Sequence, residues 1–147
     1  MLRVVAAMAA LAVGATVVLA QNAAVIDQRK QAMKAMGGAA KEPGAMAKGE
    51  MPFDLAKVQA SLKTIEETSA KAKALFPDDS KTGDTAALPV AFEKKADVMD
   101  RFDKMAAAAK AAAGAIKDEA SFKTEWPKVL SNCGGCHKEY RKPPAKK

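Results

Sequence analysis

Between Leu55 and Phe76 the inward-type residues fall at Leu55, Val58, Leu62, Ile65, Ser69, Ala72 and Phe76, in alternating steps of three and four. That spacing keeps one face of an α-helix against a partner along its whole length. A strand cannot present it, because strand side chains change face at every residue. Asp54 stands where an N-cap belongs, with Phe53 before it and Val58 beyond it as a hydrophobic staple, and Pro77-Asp78-Asp79 stops the run.

Three more segments have helical spacing. Ile26, Arg29 by its long stem, Met33, Met36 and Ala40 mark the first, which Gly37-Gly38 and Pro43-Gly44 weaken and Gly49 to Pro52 closes. A polar stretch from Ser80 to Ala87 reads as a loop. Leu88, Phe92, Ala96, Met99, Phe102, Ala106 and Ala109 then mark a helix whose stop is Gly114. The last segment begins near Ser121 and carries Phe122, Trp126, Val129, Leu130, Cys133, Cys136, His137 and Tyr140, before Pro143-Pro144 ends it. Pro127 either kinks that helix or opens its main part. Four amphipathic segments with short connections predict an all-α, antiparallel four-helix bundle. Aromatics are only 5% of the chain and many inward positions are alanine, so the core looks thin for the ordering entropy it must offset. A large apolar prosthetic group would fill it.

At the N-terminus, Met1-Leu2-Arg3 precede an apolar run from Val4 to Ala20, with small Val18 and Ala20 where a signal peptidase reads. Residues 1–20 are therefore expected to be a cleaved secretory signal, and 21–147 the mature domain. The run is short for the roughly 20 residues that span a bilayer. Losing Arg3 with it leaves a formal net charge of +6. No membrane insertion is expected after cleavage, and the compartment is the periplasm.

Both cysteines and the single histidine lie within five residues, Cys133-Gly134-Gly135-Cys136-His137. On a helix, positions i and i+3 share a face, so Cys133 and Cys136 can each form a thioether to one haem vinyl group. His137 then points its imidazole at the iron, and Gly134 and Gly135 leave room for the porphyrin edge. Other uses of the motif fit less well. A thioredoxin-like pair needs a preceding strand, a structural zinc site needs a fourth ligand, and a disulfide across two residues does not need the histidine. One covalent haem c is the expected cofactor.

With this motif about ten residues from the C-terminus of four helices, the chain resembles the class II c-type cytochromes, the cytochrome c-prime family. CGGCHKEYR carries the closest likeness, Cys133 and Cys136 matching the haem-bonding cysteines, His137 the proximal ligand and Arg141 a basic position of that helix. QRKQAMKAMG resembles the family's first helix, and PFDLAKV and LFPDDS the start and end of its second. The resemblance implies that Arg29 approaches a haem propionate and that Met33 faces the distal side of the iron. Phe92 stands where many members have tryptophan.

The family contains low-spin members with a methionine sixth ligand and high-spin members with an open sixth position. The first kind makes this protein a one-electron carrier, its iron held by His137 and Met33. The second makes it a five-coordinate protein that binds nitric oxide or carbon monoxide. No Ser-His-Asp, nucleophile-base or phosphate-loop pattern is present, so no enzyme is expected. Lys138, Arg141, Lys142, Lys146 and Lys147 gather around the motif. In an exported haem protein such a cluster suits an acidic face of a redox partner rather than nucleic acid, or is simply a solvated helix end. A homodimer is compatible with all of this.

Overall fold

The computed structural model describes residues 22–143, so the expected signal segment lies outside the described residues. Helix α1 spans 22–39 and continues, after a single turn residue at Ala40, into α2, Lys41–Ala47. Gly37-Gly38 does not interrupt it. Pro43 has no N–H and cannot satisfy the Ala39 carbonyl one turn earlier. The hydroxyl of Ser61, from the facing helix, donates to that carbonyl instead. Gly49, at φ +76°, takes the left-handed conformation beyond the end of α2.

Helix α3, Leu55–Ala72, is capped by Asp54, whose side chain accepts from Lys57 N at 3.0 Å. Val58, Ser61, Leu62, Ile65, Ser69 and Ala72 are buried along it; of the predicted stripe, Leu55 is half-buried and Phe76 is buried beyond the helix end, and Ser61 is an addition. Phe53 lies against Phe122, ring centroids 5.4 Å apart, and packs on the cluster that contains Val58. After α3 the chain tightens into a 3-10 turn, Lys73–Leu75, and a second one, Asp78–Lys81. The expected loop is thus partly ordered.

The predicted third helix is two helices, α4, Val90–Glu93, and α5, Lys95–Ala115. Lys94, at φ −100° and ψ 42°, breaks the register between them. For that reason the buried face of α5 is Val98, Phe102, Met105, Ala109 and Ala112, and Ala96 is exposed rather than inward. Helix α5 ends at Ala115, one residue past Gly114, with Ile116 as its C-cap, and there Gln59 Nε2 donates to the Ala113 and Ile116 carbonyls at 3.0 and 3.2 Å. Those are acceptors a helix end leaves open.

Helix α6, Glu119–Tyr140, opens with a capping box between Asp118 and Ser121. Pro127 sits inside it without ending it, on the exposed face, where the carbonyl one turn earlier can turn to water. Beyond α6, Arg141 forms an isolated antiparallel bridge with Ala87, the one β-pairing among the described residues. The long helices α1 with α2, α3, α5 and α6 make an antiparallel four-helix bundle, with α5 packed mainly on α3 and then on α6. No helix among the described residues is long and apolar enough to cross a membrane.

The interior is divided into two clusters. Phe122, Trp126, Val58, Leu62, Ile65 and Met105 anchor one, and Phe76, Phe92, Val98, Phe102 and Tyr140 the other. The indole Nε1 of Trp126 is buried with no hydrogen-bond partner among the described residues.

Candidate haem site

Cys133, Cys136 and His137 lie in the last turns of α6, all three half-buried. Cys133 packs against the first cluster and Cys136 against the second, so the motif faces the division in the core. The two cysteines are not joined as a disulfide, and burial would push both thiol pKa values up, with Arg101 opposing the rise at Cys136. A redox nucleophile needs the opposite shift and a helix N-terminus. Among the described residues no group of three or more His, Cys, Asp or Glu side chains could hold a metal ion by itself. The donor set therefore suits neither a thioredoxin-like pair nor zinc. Paired thiols on a half-buried apolar face, followed by an imidazole, do suit a covalently held porphyrin.

Burial, and after it the positive charge of Arg141, holds the His137 pKa below its ordinary value. Arg141 Nη1 is 3.5 Å from His137 Nδ1. The imidazole is accordingly neutral at pH 7, the form that ligates a metal. A Cβ at Gly134 would meet no atom within 4 Å, and one at Gly135 would meet Arg101 Nη1 at 3.7 Å. The bundle itself does not require either glycine.

On α1, Met33 and Met36 are half-buried and pack on the same cluster as Cys136. Their sulfurs differ. The Ser69 hydroxyl donates to Met36 Sδ at 3.2 Å, whereas among the described residues nothing donates to the Met33 sulfur. One turn before Met33, Arg29 is only 4% exposed. Its Nη1 donates to Leu75 O at 2.8 Å and Ser80 Oγ at 2.9 Å, and its Nη2 to Ser80 O at 3.0 Å and Thr85 Oγ1 at 2.9 Å. Burial pulls its pKa down from the usual arginine value. Both Nη ends are thus committed to the segment after α3.

A polar network beside the motif escaped the sequence reading. Asp97 on α5 accepts from Arg101 Nε at 2.7 Å and from the Tyr140 phenol, and Arg101 also pairs with Glu139 at 3.0 Å. The guanidinium of Arg101 lies over the Tyr140 ring at 5.1 Å. The Asp97/Arg101 spacing of four was visible in the sequence, but the link to Tyr140 spans 43 residues and left no local signal. In the basic cluster, Lys138 and Arg141 are exposed, while Lys142 Nζ is turned onto Thr85 O at 3.0 Å. Lys146 and Lys147 lie outside the described residues.

Residues 24–141 match the family model described as Cytochrome C'. The chain belongs to the cytochrome c-prime family. A cytochrome c' of Rhodopseudomonas palustris is 57% identical over 118 residues, which cover 80% of this chain and 81% of that one. A cytochrome c-556 of the same organism is 34% identical over 146 residues, covering 96% and 97%. Among solved structures, the cytochrome c' of R. palustris superposes with a TM-score of 0.80 at 55% identity, over 82% of this chain and 98% of that one. A structural model of oxidised R. palustris cytochrome c556 gives a TM-score of 0.74 at 30% identity, over 82% and 98%. Cytochromes c-prime and c-556 bind covalent haem c with iron, and this chain is a haem c protein of that family.

Proposed function

We propose that Cys133 and Cys136 carry the haem through two thioethers, that His137 and Met33 are its axial ligands, and that the protein is a one-electron carrier of the periplasm, exported by residues 1–20. When bound, the haem supplies an iron couple whose potential a methionine ligand raises. The observation that carries the reading is the contrast between the two methionines of α1. Met36 has its sulfur engaged by Ser69, and Met33, packed on the same cluster as Cys136, has no donor on its sulfur among the described residues. Burial and then Arg141 lower the His137 pKa, which favours the neutral imidazole that a metal needs. Arg29 brings a buried positive charge to the α1 side, where a propionate belongs. With both Nη ends hydrogen-bonded, it acts there by charge rather than as a free fork. Lys138 and Arg141, exposed beside the motif, would meet an acidic redox partner.

One observation favours a second reading. The identity to the protein named cytochrome c' is 57%, against 34% to the one named cytochrome c-556. In a five-coordinate protein Met33 would be a wall of the pocket that admits nitric oxide or carbon monoxide. Replacing Met33 by Ala separates the two. Under the carrier reading the variant loses the weak red charge-transfer band of methionine-ligated ferric haem and binds carbon monoxide faster, and Met36→Ala keeps the band. A wild-type protein that is already high-spin and takes up carbon monoxide readily overturns the carrier reading.

A further inference from the structure

Arg29 and Lys142, near opposite ends of the chain, meet on one residue. Arg29 Nη2 donates to Thr85 Oγ1 at 2.9 Å, and Lys142 Nζ donates to Thr85 O at 3.0 Å. Thr85 Oγ1 also accepts from Ala87 N at 3.1 Å, which fixes its rotamer. Around this point the segment from Leu75 to Leu88 is fastened on two sides. On the α1 side, Arg29 takes up Leu75 O, Ser80 Oγ and Ser80 O, with its guanidinium over the rings of Phe76 at 4.9 Å and Phe92 at 5.3 Å. Lys30 adds an ion pair with Asp84 at 2.5 Å, and Gly83, at φ +104°, comes so near that a Cβ there would be 3.2 Å from Ile26 Cδ1. On the α6 side, Leu88 N donates to Tyr140 O at 2.9 Å and Lys142 N to Ala86 O at 2.8 Å, flanking the Ala87–Arg141 bridge.

The spacing of these anchors along the helices is what gives them a further use. Arg29 precedes Met33 by four residues and Arg141 follows His137 by four, so each proposed axial ligand stands one turn from an anchor on the same segment. A guanidinium this buried without a carboxylate is costly unless its donors are filled, and four acceptors from one short segment hold it in a single geometry. We propose that Arg29 is a positioning residue which, through Thr85, sets the separation between α1, carrying Met33, and the end of α6, carrying His137. What that separation controls at the iron rests on the ligand reading above.

The test uses the haem-loaded protein with Thr85→Val, which removes the hydroxyl that accepts from Arg29 and Ala87 N at nearly constant shape and leaves the carbonyl that accepts from Lys142, and Thr85→Ser, which restores the hydroxyl. Carbon monoxide association with the ferrous protein is read for both, together with the ferric methionine band. Thr85→Val is expected to speed association about tenfold, on the scale of one lost hydrogen bond to a charged group, and Thr85→Ser to return it to the wild-type rate. With Met33 bound, the band weakens in the same variant. The band in the wild type and in Met33→Ala judges the ligand reading, and the Val and Ser pair judges the clamp. If Met33 is only a pocket wall, loosening the clamp still moves that wall and still speeds association. A Thr85→Val protein with the wild-type rate overturns the proposal. Should that variant fail to load haem, Ser80→Ala, which takes one acceptor from Arg29 Nη1, carries the same expectation, and an unchanged rate there overturns it equally.

Discussion

The phenol of Tyr140 donates to the carboxylate of Asp97, 43 residues earlier in the chain, and so fastens the last turn of α6 to α5. The same carboxylate oxygen accepts from Arg101 Nε at 2.7 Å. Because the motif lies on the turn before Tyr140, this link helps to hold the cysteines and His137 where α6 presents them.

Its signature is a pH dependence. Tyr140 is the one tyrosine in the chain, so phenolate absorbance reports it alone. The bond to Asp97 first, and burial second, push its pKa up to about 12. The folded state then holds the phenol proton more tightly than the unfolded chain does. The stability this contributes is fully present below the ordinary tyrosine value of about 10 and is lost as pH rises through the folded value. Asp97 works in the other direction. Held below the ordinary carboxylate range by Tyr140 and then by Arg101, it contributes above that range and loses its contribution as pH falls through its lowered pKa. An absorbance titration should give a midpoint near 12 in the native protein and one lower in Asp97→Asn. Equal midpoints would mean that the bond is absent in solution.

At the junction of α1 and α2 one backbone carbonyl depends on a side chain from another helix. Pro43 leaves the Ala39 carbonyl without its helical partner, and Ser61 supplies the replacement across the bundle. Ser61→Ala removes the donor and leaves a part-buried acceptor without it, at a cost of about 1 kcal/mol. Urea unfolding at constant m-value measures it. Combining Ser61→Ala with Pro43→Ala, which restores an N–H at position 43, should recover most of the loss.

How much of this was legible before the fold was known differs from element to element, for physical reasons. The α3 stripe was readable because each inward position is apolar or small and the cap, Asp54, is adjacent in sequence. The CGGCH motif was readable because its chemistry fits in two helical turns. In α5 Phe102 and Ala109 are buried as read, whereas Ala96 was misread and Val98, Met105 and Ala112 were missed, because the helix restarts after a break at Lys94 and its alanines give the inward face little signal. The Gly37-Gly38 pair, read as weakening the first helix, lies inside α1 without interrupting it, because packing on neighbouring helices outweighs a propensity cost of about 1 kcal/mol each. The engagement of Arg29 with Ser80 and Thr85 could not be seen at all, since nothing local tells an arginine buried in a loop clamp from one reaching a ligand.

At the start of α6 the capping box gives a simple test of how the motif-bearing helix is supported. Asp118 accepts from Ser121 N at 2.8 Å, and Ser121 Oγ accepts in return from Asp118 N at 3.1 Å. Asp118→Ala should cost about 1 kcal/mol, while Asp118→Asn should cost a few tenths. Since α6 is long and packed on α5 along its length, the loss should appear as a lower thermal midpoint with the haem spectrum unchanged. A changed spectrum would show that order at Asp118 is transmitted to His137.

The divided core makes a stronger prediction. Cys133 packs against the cluster of Trp126 and Phe122, and Cys136 against that of Phe76, Phe102 and Tyr140, so a haem held by both, as proposed above, would join two apolar regions that the side chains leave separate. Removing a buried filler costs its transfer free energy and a further amount that grows with the cavity left behind. A protein with Cys133→Ser and Cys136→Ser, made with residues 1–20 in place, should therefore lose near-ultraviolet circular dichroism from Trp126 while retaining much of its helical signal, and should unfold at a clearly lower temperature. The loss ought to exceed that of Met33→Ala, which leaves the covalent haem in place. A double variant with the wild-type midpoint and an unchanged tryptophan signal would mean that the two clusters close on each other without it.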